Sequence, residues 1–171
     1  MINSNNTRVR SVLIESIEKF PGIRYRELLR LTNLADGVMS YHIGLLDKKE
    51  LIKIAKKGRV TRFYPTAMNE YDTIVIGALR VKTARQIVLF VLSNEGVSFN
   101  DIVSHAKRAP STVSWNLKKL RSLGLIQQVQ KNGHMQYTVN VKDDIIRLLS
   151  KYKSSFLDRM VDNFVDVWCE L

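Results

Sequence analysis

The amino-acid sequence predicts a mainly helical α+β fold in which three helices and a β-hairpin occur twice, followed by a helical C-terminal segment. Three observations support this prediction. Residues 38–46 match residues 112–120, which lie 74 positions further along the chain. Around both segments, apolar residues recur every three or four positions, as they do on the buried face of a helix. After each segment, two short β-prone runs flank a turn that contains glycine.

In the first copy, the apolar pattern predicts three helices, at residues 8–20, 25–31 and 36–49. The sequence Pro21-Gly22 ends the first of them. The second helix is expected to bury three leucines, Leu28, Leu29 and Leu31. The third helix has its apolar stripe at i, i+4 and i+7, on Met39, Ile43 and Leu46. The opposite side of this third helix is therefore predicted to be exposed.

The second copy is predicted to have helices at residues 82–92, 99–106 and 110–123. Pro110 falls in the first turn of the last helix, where a missing amide proton is tolerated. Between the copies, residues 66–81 lack the Gly, Ser and Pro enrichment of a flexible linker, so we expect a helix there. The expected domains are residues 1–66, a linker helix at 67–81, residues 82–141 and a C-terminal segment at 142–171.

A hairpin is predicted at the end of each copy. The first has strands at residues 51–55 and 60–64, joined by a basic turn at 56–59, and the second has strands at 126–130 and 135–139 around Asn132-Gly133. Aligning the turn glycines, Gly58 and Gly133, requires an offset of 75 residues and therefore one gap in a loop. The aromatic residues of the hairpins are expected to pack beneath them: Phe63, Tyr64 and Tyr137.

The charge of the chain is concentrated on the repeated part. There are 27 Lys and Arg residues against 16 Asp and Glu, for a net charge of +11. The excess is +7 over residues 1–65 and +5 over residues 66–141, whereas residues 142–171 total −1. The basic excess favours a polyanionic partner or an anionic membrane surface, with a charge that only keeps the protein in solution as the alternative.

Three helices followed by a hairpin are the elements of a winged helix, whose third helix fits the major groove of DNA and whose hairpin, the wing, reaches the neighbouring backbone. The candidate helix contacts in the first copy are Val38, Ser40, Tyr41 and Lys48. Those in the second copy are Ser111, Thr112, Ser114, Trp115, Lys118 and Arg121. The candidate wing contacts are Lys56, Lys57, Arg59, Arg62, Lys131 and His134. We expect the first copy to supply mainly wing affinity for phosphates and the second to supply more base readout.

Two segments carry a resemblance to a known family. Residues 21–65 (PGIRYRELLRLTNLADGVMSYHIGLLDKKELIKIAKKGRVTRFYP) and residues 111–126 (STVSWNLKKLRSLGLI) resemble the tandem winged-helix transcription regulators of archaea, and each copy alone resembles the ArsR and MarR types. The resemblance implies a homodimer that binds pseudo-palindromic double-stranded DNA and is nucleoid-associated in the cytoplasm. Two residues depart from the pattern: Gly44 replaces a basic residue on the third helix, and Glu50 stands where Gly124 ends the helix of the second copy.

Three polar or aromatic residues of the third helices have two interpretations. His42, and Asn116 at the matching place, are interpreted as hydrogen-bonded structural residues beneath their helices, with DNA contact as the alternative. Trp115 lies off the apolar stripe, so we expect it to be exposed instead of buried in the core.

The C-terminal segment is predicted to form one long helix or two short ones, with apolar residues at steps of three and four. Its polar face is acidic, whereas helices that lie on a membrane surface are usually basic there. We therefore expect it to mediate dimerisation through Leu149, Tyr152, Phe156, Met160, Phe164 and Trp168.

No catalytic or ligand-binding motif stands out, so we expect neither enzymatic activity nor a cofactor. Cys169 is the only cysteine, and His105 and His134 stand alone, without partners at metal-ligand spacing. The start of the chain has no apolar signal core, and no run reaches the roughly 18 to 20 apolar residues that cross a bilayer. We therefore expect an intracellular protein without a membrane partner. A small-molecule effector would leave no motif, so this question stays open.

Two other functions are compatible with tandem winged helices. One is a protein-interaction scaffold that never touches nucleic acid, although the basic first wing and the polar third helix of the second copy argue against it. The other is an architectural or RNA-binding protein that coats nucleic acid with little sequence preference. Regulation by sequence-specific binding to DNA is the leading hypothesis.

Overall fold

A computed structural model describes residues 2–94 and 96–156, with side chains from residue 6 onward. The chain divides into two compact units, Met1–Thr73 and Ile74–Leu171, called here unit 1 and unit 2. Helix makes up 61% of the structure and the sheets are small and antiparallel, which confirms the mainly helical α+β class. The helix predicted between the copies forms as α4 (Glu70–Leu79), and the division between the units falls within it.

Unit 1 contains three helices and a three-stranded sheet before α4. Its elements are α1 (Ile2–Lys19), β1 (Ile23–Arg24), α2 (Tyr25–Thr32), α3 (Asp36–Lys48), β2 (Ile52–Lys57) and β3 (Val60–Pro65). The strands are ordered β1-β3-β2, all antiparallel. Strand β1 was not predicted, because two residues are too few for a periodic signal. The predicted hairpin turn was too long: Lys56 and Lys57 belong to β2, and the turn is Gly58-Arg59.

The core of unit 1 joins the three helices to the sheet. Its buried apolar residues are Leu13, Ile17, Ile23, Leu28, Met39, Ile43, Leu46, Ile52 and Phe63. The prediction for α2 was partly wrong, because Leu28 is buried and Leu29 half-buried but Leu31 is 48% exposed. Leu29 and Leu31 lie two positions apart, about 200° around a helix, so both cannot face the same core.

Unit 2 continues with helices α5 (Lys82–Ser93), α6 (Phe99–Ala106) and α7 (Pro110–Ser122), strands β4 (Ile126–Lys131) and β5 (His134–Val139), and helices α8 (Lys142–Lys151) and α9 (Lys153–Phe156). A single bridge between Val97 and Tyr137 takes the place of β1 in this unit. Both residues are buried, as are Phe63 and Tyr64 in unit 1, so the predicted packing of the hairpin aromatics is confirmed.

The elements of unit 2 follow those of unit 1 at a constant offset of 74 residues. Helices α2 and α6, helices α3 and α7, and the two hairpins all begin and end 74 positions apart. The bridge of Val97 to Tyr137 corresponds in the same way to the pairing of Ile23 with Phe63. The predicted gap is therefore wrong. Gly58 corresponds to Asn132, with φ of 57° and 52°, and not to Gly133.

The left-handed residue that follows each third helix is a glycine in only one unit. Gly124 has φ of 71° and Glu50 has φ of 54°, so the backbone turns alike in the two units although the residues differ. A residue with a Cβ atom is strained in this conformation, by roughly 1–2 kcal/mol, and glycine is not. Glu50 therefore does not change the course of the backbone relative to Gly124. The strain of the left-handed conformation falls on Glu50, in unit 1.

The C-terminal helices, α8 and α9, pack within unit 2. Leu149 is fully buried, and Phe156 is buried beneath the guanidinium groups of Arg80 and Arg85, 4.8 and 5.5 Å from its ring centre. Arg80 also donates a hydrogen bond of 2.6 Å to the carbonyl of Ser155. The assignment of Leu149 and Phe156 to a dimer surface is corrected, because their side chains belong to the core of their own unit. Tyr152 is half-buried, and Met160, Phe164 and Trp168 lie outside the described residues.

We expect the substitutions Glu50→Gly and Gly124→Ala to change stability in opposite directions. Gly124→Ala should lower the free energy of unfolding by about 1 kcal/mol, because open space surrounds the added Cβ and only backbone strain opposes it. Glu50→Gly should raise it by about 0.5 kcal/mol, the strain relieved minus the entropy that glycine adds to the unfolded chain. Urea unfolding followed by circular dichroism measures both.

Gly44→Ala is the matched control for these variants. Gly44 lies within α3, and open space also surrounds an added Cβ there. Its substitution should stabilise the protein by up to about 1 kcal/mol, since alanine favours a helix more than glycine does. A Gly124→Ala protein as stable as the unsubstituted chain would contradict the assignment of strain.

Candidate nucleic-acid interface

One face of α3 is exposed in unit 1 because the other is fixed in the core. Met39, Ile43 and Leu46 are buried, as predicted from their spacing. The predicted contact residues all lie on the exposed side: Val38, Ser40, Tyr41 and Lys48. Tyr41 is the most prominent, with 62% of its surface exposed. This face therefore offers a hydroxyl, a phenol ring and one cation.

A hydrogen bond from α2 holds the start of α3. The Tyr25 hydroxyl donates to the Asp36 carboxylate at 2.9 Å, and the Tyr25 ring packs against Phe63 with 6.3 Å between ring centres. Burial, and secondly the hydrogen bond to Asp36, raise the pKa of Tyr25 above its usual value. The phenol therefore stays protonated at neutral pH and remains a donor. Unit 2 has Phe99 and Pro110 at these places, so this bond belongs to unit 1.

The exposed face of α7 in unit 2 is more polar and more cationic. Val113, Leu117 and Leu120 are buried and anchor the helix. The predicted contact residues are all exposed: Ser111, Thr112, Ser114, Trp115, Lys118 and Arg121. Trp115 is 60% exposed, which confirms the prediction made from its position off the apolar stripe. The Lys119 ammonium lies 5.4 Å from the centre of its ring, as in a cation–π contact.

The third helices share two features at the same places. Tyr41 corresponds to Trp115, so each helix presents a large exposed aromatic side chain. His42 corresponds to Asn116, and both are 3% exposed, which confirms that they lie beneath their helices and face away from solvent. The prediction that both side chains are hydrogen-bonded is only partly confirmed. Asn116 Nδ2 donates to the Thr112 carbonyl at 2.8 Å, but His42 Nδ1 and Asn116 Oδ1 have no hydrogen-bond partner among the described residues.

The wing of unit 1 presents three of its four predicted cations. Lys56, Lys57 and Arg59 are exposed at the end of the hairpin. Arg62 is only 8% exposed, and its Nη1 donates to the Gly22 carbonyl at 2.6 Å. Its assignment as a DNA contact is corrected, because β3 is the central strand of the sheet and Arg62 lies within it. Burial lowers the pKa of Arg62, although a guanidinium remains charged.

The wing of unit 2 is less basic. Lys131 and His134 are both exposed and pair with each other across the turn. At the place of Arg62 this wing has Gln136, which lies over Gly96 much as Arg62 lies over Gly22. The same position thus places a polar side chain next to the matching glycine in both units. The side chain is charged in unit 1 and a neutral amide in unit 2.

A cluster of arginines on α2 was not predicted. A groove of about 560 Å³ runs between α2 and the wing turn of unit 1, and it is called here the arginine groove. It is lined by Arg24, Tyr25, Arg26, Glu27, Arg30, Arg59, Val60 and Thr61. The signal was present in the segment RYRELLR, residues 24–30, which carries three arginines. The winged-helix pattern predicts contacts only from the third helix and the wing, so it does not predict this cluster.

Neither a membrane span nor a metal cluster is present in the described part of the chain. No helix there is long and apolar enough to pass through a bilayer. In the same residues, no three His, Cys, Asp or Glu side chains cluster in a way that could hold a metal ion.

Comparison with known proteins finds similarities to regulatory proteins. Residues 82–128, which span α5 to the start of β4, match the family described as Bacterial regulatory protein, arsR family. The chain is also 25% identical over 140 residues to an uncharacterized HTH-type transcriptional regulator of the archaeon Methanocaldococcus jannaschii. That alignment covers 82% of this chain but 34% of the relative, so the chain spans about a third of the relative's length.

A solved structure, of a conserved hypothetical protein from Chlorobium tepidum, aligns with 86% of this chain and 99% of its own. Its TM-score of 0.33 and 13% identity are too low to inform the fold. The arsR-family match and the archaeal relative are both similarities to regulators of the helix-turn-helix type. Both names are those of regulators and not of enzymes.

The role of Arg62 in the fold leads to a prediction about stability. Arg62→Ala should lower the free energy of unfolding by about 1–3 kcal/mol, because it leaves the Gly22 carbonyl without its donor. Arg62→Gln should lose less, since glutamine occupies this place in unit 2. Lys57→Ala, at an exposed position, should stay within about 0.5 kcal/mol of the unsubstituted protein. Chemical unfolding compares the three. An Arg62→Ala protein of full stability that binds DNA more weakly would restore the wing assignment.

Proposed function

We propose that the chain is a sequence-specific regulator that binds double-stranded DNA as a homodimer, with its third helices in the major groove and its wings on the backbone. The observation that carries this proposal is the exposed polar face of α7, which is anchored by a buried apolar stripe on its opposite side. Hydroxyl groups, an indole ring and cations on an exposed helix match the side chains that contact base edges and phosphates.

Unit 2 is the stronger candidate for reading bases. Ser111, Thr112 and Ser114 stand in the first turns of α7, the part of a recognition helix that reaches the base edges. Lys118 and Arg121 follow one and two turns later, where they can meet guanine or the flanking phosphates. Pro110 starts the helix with a fixed φ and therefore holds these hydroxyl groups in place.

Unit 1 is proposed to contribute mainly affinity. At the places of Lys118, Lys119 and Arg121, its third helix has Gly44, Leu45 and Asp47. Lys48 is therefore the cation near the end of α3, while Lys56, Lys57 and Arg59 extend from the wing. Charges on a wing neutralise phosphates without reading sequence.

The homodimer rests on the C-terminal sequence. The apolar residues beyond Phe156 continue at steps of four, at Met160, Phe164 and Trp168, which is a spacing typical of one apolar side of a helix. Two-fold proteins match the two-fold symmetry of pseudo-palindromic sites. We therefore place the dimer contact in these residues and in Tyr152, and no longer in Leu149 or Phe156.

Variants of the helix and of the wing should change DNA binding in different ways. With a duplex selected from a random pool, Ser114→Ala or Trp115→Ala should reduce the preference over random duplex by about tenfold or more, as the removal of a base interaction worth 1–3 kcal/mol does. Lys57→Ala should weaken all duplexes alike and lower the slope of log affinity against log salt by about 1.8, which is about 0.9 for each of the two copies of Lys57 in the homodimer. Fluorescence anisotropy across a salt series measures both, and titration at high concentration gives two chains per duplex.

The unsubstituted protein supplies the control for the proposed class. Uniform binding to every duplex with a steep salt dependence would indicate an architectural protein, and equal binding to single-stranded RNA would indicate an RNA-binding one. An absence of nucleic-acid binding at low salt would indicate a scaffold. Each of these results would overturn sequence-specific regulation.

A further inference from the structure

We propose that the arginine groove of unit 1 binds consecutive phosphates of the DNA backbone, as an anchor separate from the base-reading helix. The inference rests on the proposed function, because its ligand is the same duplex. It adds a second phosphate-binding surface, on α2, to the wing contacts expected from the sequence. Its support comes from the charge of the groove, the neutral counterpart in unit 2 and the position of the groove beside α3.

The guanidinium groups of the groove are not neutralised within the described structure. Arg24, Arg26, Arg30 and Arg59 line it with one carboxylate, that of Glu27. Glu27 is engaged locally, since its carboxylate accepts a hydrogen bond of 2.9 Å from the Arg24 backbone amide and caps α2. The ion pair found among the described residues, Arg147 with Asp144, lies elsewhere. The groove therefore has an excess of positive charge that attracts an anion.

Unit 2 shows that the fold does not need these arginines. At the 74-residue offset, the four places hold Ser98, Asn100, Ser104 and Gly133. Helix α6 nevertheless has the same length as α2 and begins with the same kind of cap, in which Asp101 accepts from the Ser98 amide at 2.9 Å. Because the neutral version folds alike, we assign the four charges of unit 1 to binding and not to stability.

The position of the groove continues the surface of the third helix. Tyr25 lines the groove and holds the first residue of α3, Asp36, through its hydroxyl. Arg59 lies in the wing turn. The groove thus connects the start of α3 to the wing, and a backbone that flanks a helix in the major groove passes along it. Arginine suits this role because its planar group binds phosphate oxygens in pairs.

The composition of the groove favours a backbone over a small ligand. Five of its eight lining residues are charged, and Val60 is its one aliphatic residue. Sites for small molecules are lined mostly by apolar and aromatic side chains, which bury most of the ligand. A polyanion that enters and leaves along an open groove needs no such enclosure.

The double variant Arg26→Ala/Arg30→Ala tests this inference in the full chain. Both side chains are exposed, so the thermal midpoint should stay close to that of the unsubstituted protein. The slope of log affinity against log salt should fall by about 3.6 for the homodimer, or about 0.9 for each of the four phosphates that it no longer neutralises, with the same fall for selected and random duplex. Asn100→Ala/Ser104→Ala, the matched pair in unit 2, should leave the slope unchanged.

The outcomes separate the groove from the proposed function. If the arginine double variant bound the selected duplex with the original salt slope, the proposed role of the groove would be overturned. The proposed function as a regulator would stand. If the arginine double variant no longer bound inorganic pyrophosphate but bound duplex as before, the groove would be a site for a small phosphorylated ligand. This result would also overturn the proposed binding of the DNA backbone. An unsubstituted protein that binds no duplex at low salt would overturn both.

Discussion

The buried apolar stripe of each third helix is the constraint on which the binding surface depends. Met39, Ile43 and Leu46 in α3, and the corresponding Val113, Leu117 and Leu120 in α7, are all buried. In both helices the residues on the side opposite this stripe are exposed. The exposed aromatic residues and hydroxyl groups therefore follow from the packing, and the rigidity of that packing holds them in position for a ligand.

The two units have matching helices and strands but differ in their exposed residues. The constant offset of 74 residues means that each exposed position from β1 to β3 has a known counterpart in unit 2. Unit 2 has cations on its third helix, at Lys118 and Arg121, where unit 1 has Gly44 and Asp47. Unit 1 has Lys48 at the end of its third helix and further cations on α2 and the wing. A fold whose core does not depend on its surface side chains can carry different charged residues in its two units.

The sequence was sufficient for features that repeat or have a period, and insufficient where single contacts decide. The helices followed from apolar spacing, and the exposure of Trp115 followed from its place on α7. Strand β1 was missed because it has two residues, and Arg62 was misassigned because charge alone does not reveal that a side chain lies in a central strand. Phe156 was assigned to a dimer because the pattern of an apolar helix face is the same whether its partner is another chain or its own unit. The arginine groove needed the structure, since it combines α2 with a turn about thirty residues away.

The central claim is that the exposed face of α7 meets DNA bases, and site-specific crosslinking tests it most directly. A photoreactive benzophenone side chain in place of Trp115 should crosslink to bases in the major groove of a selected duplex. The same group in place of Asn94, an exposed residue that follows α5, should give little crosslinking. Equal crosslinking from the two positions, or none from position 115 while the duplex remains bound, would contradict the account.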